Sequence, residues 1–157
     1  MLKMNIVRLP HAGDLDLPKQ GTPLSAGLDL SAAIEGPLTL NPGQRFLVPT
    51  GFSIALPPGY EGQIRSRSGL SFKHGLVVLN SPGTIDADYR GEIKVLLINF
   101  GEEPFQIERG MRIAQLVVNK VENVSWTEVM AHTDLETLNR NEAGFGSTGI
   151  HQQSGKS

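Results

Sequence analysis

Apolar residues in this chain come in short runs, each closed by a cluster of Gly, Pro, Asn or Asp. Residues 5–9, 38–40, 45–49, 52–56 and 62–67 are β-prone. Pro10, Asn41-Pro42-Gly43, Thr50-Gly51 and Pro57-Pro58-Gly59 cut them. Turn signals recur every ~8–12 residues, the spacing of a sandwich or barrel. Residues 26–33 (AGLDLSAA) predict a strand with Leu28 and Leu30 on one face and Asp29 on the other. Residues 92–100 (EIKVLLINF) and 112–121 (RIAQLVVNKV) are apolar on both faces. That is more than a small barrel interior requires, so these strands are expected near the axis of an oligomer. Residues 125–130 (SWTEVM) are expected to form the last strand.

Three segments break this rhythm. Residues 75–79 and 92–100 flank NSPGTIDADYRG (80–91), which predicts a wide hairpin. Asp86 and Asp88, two apart, share a face if the backbone is extended; turn chemistry is the plainer reading of such a pair. Residues 68–74, between Ser68 and Gly75, predict a short capped helix. It brings Arg65 and Arg67 beside free N–H groups suited to phosphate, although an ordinary surface helix with two solvated arginines is the plainer reading of the segment alone. Residues 132–157 are polar and poor in aliphatics, predicting a tail without a core behind a domain at 1–131. Within it Phe145 stands between two glycines and Arg140 lies five residues earlier. The stretch lacks the Lys of a P-loop, and a functionless terminus is the alternative.

Composition narrows the class. At 157 residues, one domain with a real core is the simplest reading. A net charge of −2 argues against a nucleic-acid polymer as main partner, but not against one small anion held by a few arginines. The absence of cysteine removes disulfides and thiolate metal sites, and the four His lack zinc spacing. No signal core and no apolar run of ~20 residues is present, so a cytoplasmic protein without a membrane span is expected.

Five stretches together are more specific than any one. AGLDLSAA (26–33), RSGLS (67–71), NSPGTIDADYRGE (80–92), RIAQLVV (112–118) and RNEAGFGSTG (140–149) resemble, in order and spacing, the five motifs of the homotrimeric deoxyuridine triphosphatases (dUTPases). The tail motif departs from the family at Asn141 and Ala143, where Gly is usual. The resemblance implies an all-β, jelly-roll-like barrel with one short helix and a flexible C-terminal arm. It implies a threefold trimer whose active sites each draw on three subunits. The reaction implied is Mg²⁺-dependent hydrolysis of dUTP to dUMP and pyrophosphate.

Matched motif by motif, the resemblance implies that Asp86 activates the attacking water. Asn80, Gly83, Thr84, Ile85 and Lys94 line the uracil slot, and Tyr89 packs on the deoxyribose. Arg67, Ser68 and Gly69 hold phosphates with Gln115 assisting, and Asp29 holds Mg²⁺ through water. From the tail, Phe145 stacks on uracil, Arg140 reaches the terminal phosphate, and Gly146 and Ser147 complete the lid. Two rivals follow. A dCTP deaminase on the same fold needs a catalytic Glu where this chain has Leu96, which cannot shuttle protons. A non-catalytic nucleotide-binding barrel would not need the acid and base residues present here.

Overall fold

The computed structural model describes residues 2–131. The chain divides between Asn123 and Val124 into two units. The first is a barrel of short antiparallel strands: β1 (Asn5–Arg8), β2 (Lys19–Gln20), β3 (Leu28–Ser31), β4 (Leu38–Leu40), β5 (Arg45–Pro49), β6 (Phe52–Ala55), β7 (Tyr60–Arg65), β8 (Leu76–Val78), β9 (Gly83–Ile85), β10 (Lys94–Asn99), β11 (Phe105–Ile107) and β12 (Arg112–Lys120). One helix, α1 (Ser68–His74), follows β7, and a 3-10 turn (Pro10–Ala12) follows β1.

Four sheets enclose the core, in the orders β1-β6, β5-β10-β8, β11-β4 and β2-β3-β12-β7-β9. Alternation along the strands sends Leu30, Val48, Ile64, Leu97, Ile107 and Leu116 into one cluster, almost wholly buried. Burying each such side chain stabilises the fold by about 1.5–3 kcal/mol relative to exposure. Asn99 is the large polar residue within the packing, and all its polar atoms are satisfied. Its Nδ2 donates to the carbonyls of Leu40 and Glu103 at 2.8 Å, and its Oδ1 accepts from Gly101 N–H at 2.8 Å. Burial without those partners would cost about 1–3 kcal/mol.

Boundaries agree with the sequence where strong breakers stand. The bounds of β4, β5 and α1 are those the pattern marks. The wide hairpin is present: β8 and β10 pair with Leu97 opposite Val78. Between them the chain leaves the sheet as β9, which pairs with β7. Gly75 (φ 65°) ends α1 with its N–H on the Ser71 carbonyl at 3.0 Å. A Cβ there would lie 2.3 Å from the Gly101 nitrogen, so helix and β10–β11 turn touch backbone to backbone.

Several expectations are corrected. Residues 125–130 form no strand; Trp126 and Met130 are exposed. β-propensity without a paired neighbour does not make a ladder. Ser68 does not cap α1; Arg67 holds the N-cap position, with no side-chain bond to the helix. Asp86 and Asp88 do not share an extended face, because the chain turns between them, with Tyr89 N–H on the Asp86 carbonyl at 3.1 Å. Both faces of β10 are largely covered within one chain, Val95, Leu97 and Ile98 being buried and Leu96 half-buried. Within one chain its two-sided apolarity is thus largely accounted for, Leu96 excepted. Exposed apolar residues on a sheet edge include Phe46 and Leu47 of β5, besides scattered ones such as Leu24, Phe72 and Phe100.

Candidate active site

Sheet register builds the first cleft. On β12, Gln115 stands opposite Asp29 of β3 on one side and Arg65 of β7 on the other. Since α1 begins three residues after Arg65, the same rung delivers Arg67, Ser68 and Gly69. Asp29, Gln115, Arg67, Ser68 and Gly69 line a cleft of about 470 Å³ with Ser25, Gly27, Lys73, His74 and Arg112. The Asp29 carboxylate, mostly shielded from solvent, faces Arg67 Nε at 3.2 Å and Arg112 Nη1 at 3.0 Å. Gln115 donates from Nε2 to the Ser66 carbonyl at 2.9 Å. A Cβ at residue 27 would fall 2.1 Å from Gln115 Oε1, so only glycine leaves space for that amide.

Arg65 stays outside the cleft. Its guanidinium donates to Gln63 Oε1, whose own Nε2 donates to Glu61 along the strand. Arg112, by contrast, is a cleft residue that strand alternation hides. Three positions before Gln115, it should by parity point to the opposite face. A bulge between Arg112 and Ala114, against Ser31 and Leu30 of β3, turns it back toward Asp29.

The second cleft belongs to the hairpin. Leu47, Thr84, Ile85, Asp86, Tyr89, Glu92 and Lys94 line about 450 Å³. Asp86 is exposed just past β9. Tyr89 donates from its hydroxyl to the Glu92 carbonyl at 2.9 Å. Its ring lies over Gly91, where a Cβ would meet the hydroxyl at 2.4 Å. Lys94 Nζ is 3.9 Å from Glu92 Oε2. Asn80 packs its amide on Gly83 at the hairpin base, 3.0 Å from where a Cβ would be.

The two clefts share no lining residue. The expected phosphate residues Arg67, Ser68, Gly69 and Gln115 and the expected metal residue Asp29 meet in one; Thr84, Ile85, Tyr89, Lys94 and the expected base Asp86 meet in the other. Arg140, Phe145, Gly146 and Ser147 lie outside the described residues. The sequence reading missed Arg112, Lys73, His74, Leu47 and Glu92. Arg112 and Glu92 both lie inside quoted motifs, the signal that a closer reading has available.

The donor set bears on a metal. Among the described residues no three acidic or imidazole side chains gather. One carboxylate, already facing two arginines, does not make a metal cage. It fits a Mg²⁺ that arrives on a polyphosphate, since Mg²⁺ keeps several waters and takes one or two carboxylates plus substrate oxygens.

An all-β nucleotide hydrolase is the class described by this barrel, its arginine–carboxylate cleft and its Asp-bearing hairpin. The family model described as dUTPase matches residues 14–149. A deoxyuridine 5'-triphosphate nucleotidohydrolase of Rhizobium etli is 55% identical over 149 residues, covering 94% of each chain. One of Wolbachia pipientis wMel is 54% identical over 148 residues, covering 94% of this chain and 96% of its own. Among solved structures, a Staphylococcus bacteriophage 80alpha dUTPase with dUPNHPP aligns at TM-score 0.83 and 25% identity, covering 96% of this chain and all of that one. The chain belongs to the dUTPase family, and its activity is that of a dUTP diphosphatase.

Proposed function

We propose that this chain hydrolyses dUTP by water attack on the α-phosphorus, in a homotrimer whose active sites are shared between subunits. The products, dUMP and pyrophosphate, limit uracil incorporation into DNA and feed thymidylate synthesis. The observation that carries the reading is the separation of the two clefts. The hairpin of one chain has a base and a nucleoside slot but few cations, and the other cleft has arginines but no exposed carboxylate base. A complete site needs both, and juxtaposing two copies supplies it. Exposed Phe46 and Leu47 on an edge strand give a further copy apolar surface to cover.

In this reading Asp86, exposed at the hairpin cleft, takes a proton from the attacking water. Thr84 and Ile85 present backbone groups to the uracil edge, flanked by Asn80 and Gly83. A cytosine edge mismatches them and leaves polar groups unpaired, the strongest form of rejection available to a small site. Tyr89, fixed through its hydroxyl, sets its ring against the sugar and leaves no room for a 2′-hydroxyl. Arg67 and Arg112, with Ser68, Gly69 and Gln115, take the phosphates. Once phosphate oxygens take its place at the guanidiniums, Asp29 is the residue that would hold a Mg²⁺ through water. When bound, Mg²⁺ neutralises charge on the triphosphate. The tail, through Arg140 and Phe145 with Gly146 and Ser147, is proposed to close over the nucleotide. A cytoplasmic location is proposed as well; among the described residues no helix is long and apolar enough to cross a membrane.

The deciding assay measures pyrophosphate from dUTP, dTTP, dCTP and UTP, with and without Mg²⁺. Release from dUTP alone, and only with Mg²⁺, is expected. Ammonia from dCTP would instead support a deaminase, against which stands Leu96, paired with Leu47 on the apolar sheet.

A further inference from the structure

Glu92 stands where three parts of the barrel meet. Its side chain is mostly shielded, 13% exposed. Oε1 accepts from the Gly51 N–H at 2.8 Å and lies 2.6 Å from His11 Nε2. Oε2 points the other way, 3.9 Å from Lys94 Nζ in the hairpin cleft. The backbone carbonyl of the same residue receives the Tyr89 hydroxyl. One residue thus contacts the body of the barrel through one oxygen and two cleft residues through its remaining acceptors.

The body side is rigid by construction. His11 sits in the 3-10 turn Pro10–Ala12, whose carbonyls at His11 and Ala12 receive Arg109 at 3.0 and 2.8 Å. Gly51 has φ +77°, and a Cβ there would strike Ala12 at 2.5 Å, so the β5–β6 turn rests directly on the 3-10 turn. Leu9 N–H donates to the Gly51 carbonyl at 2.8 Å. Next to Glu92, Ile93 is tied to the same turn, its carbonyl accepting from Thr50 Oγ1 at 2.6 Å. Glu92 is the link that carries a carboxylate from this frame to the cleft.

We propose that Glu92 is a positioning residue for the hairpin cleft, anchored by His11 and Gly51 and acting through Lys94 and Tyr89. Its charge holds the Lys94 ammonium toward the base slot. Its carbonyl sets the height of the Tyr89 ring. The N-terminal turn, far from the hairpin in sequence, thereby becomes part of substrate selection. This inference rests on the proposed function of the hairpin as the nucleoside slot.

The test compares Glu92→Ala, Glu92→Gln and His11→Ala with the unsubstituted chain, reading kcat and KM for dUTP, the dUTP/UTP ratio of kcat/KM, and melting temperature. Loss of a hydrogen-bonded charge is worth roughly tenfold or more in binding. Glu92→Ala should therefore raise KM for dUTP by about tenfold and narrow the dUTP/UTP ratio, with kcat changed much less. Glu92→Gln retains an acceptor for Gly51 but loses the charge facing Lys94; it should recover the dUTP/UTP ratio while KM stays raised. His11→Ala should raise KM less than Glu92→Ala does. If KM and the ratio stay at unsubstituted values in the folded variants while melting temperature falls, Glu92 only braces the fold and the proposal is overturned. If Glu92→Ala does not fold, unchanged KM in both Glu92→Gln and His11→Ala overturns it equally. Failure of the unsubstituted chain to hydrolyse dUTP is a separate result, which overturns the proposed function and this inference with it.

Discussion

The Asp29 carboxylate on β3 lies 3.2 Å from Arg67 Nε, although 38 positions separate them in the chain (67 − 29). Arg112 closes the group at 3.0 Å from the other carboxylate oxygen. The Asp29 carboxylate offsets one of the two guanidinium charges and leaves the group of three net positive. In the proposed function a polyphosphate with its metal would offer each a better partner, and binding would be an exchange of ion pairs.

That exchange predicts opposite signatures for its members. Arg112→Ala removes a phosphate contact and should raise KM for dUTP by about tenfold, the scale of one charge-assisted hydrogen bond. Asp29→Asn leaves both arginines and should shift the Mg²⁺ concentration needed for half-maximal turnover upward. Magnesium titrations of both variants at saturating dUTP separate the effects. An unchanged metal requirement in Asp29→Asn would remove Asp29 from the metal's water shell.

Asp86→Asn keeps the size and much of the hydrogen bonding of the hairpin but removes the base. Turnover should fall ~10²–10⁴-fold, the usual contribution of a positioned general base. Equilibrium binding of a non-hydrolysable dUTP analogue should be nearly unchanged. Normal turnover would move the base elsewhere, with Asp88, on the far side of the turn, the next to test.

Much of this architecture was readable where chemistry punctuates the chain. Asn41-Pro42-Gly43 and Thr50-Gly51 bound β5 because Pro and positive-φ Gly stop a strand wherever it lies. Gly83–Ile85 and Lys19–Gln20 gave no such signal. They are two or three residues long, and only pairing with β7 and β3 makes them strands. Arg112 was hidden by a bulge, a one-residue insertion that reverses the parity on which alternation depends. Residues 125–130 failed in the other direction, β-prone by composition but without a ladder in one chain. The clefts were legible as motifs; Leu47 beside the hairpin was not, because only the packing of strands distant in sequence brings it there.

If the Tyr89 ring, held over Gly91, excludes the 2′-hydroxyl as proposed, Tyr89→Ala should raise UTP hydrolysis relative to dUTP. A change of roughly 10–200-fold in the ratio of kcat/KM is the range for one steric contact. An unchanged ratio would assign sugar selection to another residue.

Truncation after Ala131 removes Arg140, Phe145, Gly146 and Ser147 but none of the barrel core. Melting temperature should shift little, and dUTP turnover should fall severely if the tail is the proposed lid, whose closure would exclude water and fix the triphosphate. Full activity in the truncated protein would deny the tail any part in the reaction.

Complementation tests the shared site most directly. Asp86→Asn chains keep an intact arginine cleft, and Arg67→Ala chains keep an intact hairpin; each alone should be nearly inactive. Exchanged at equal amounts, they should recover roughly a quarter of the unsubstituted activity, because random assembly of a symmetric oligomer pairs an intact hairpin with an intact neighbouring cleft at about that frequency. Mixed oligomers that demonstrably form and yet remain as inactive as their parents would contradict a site built between chains.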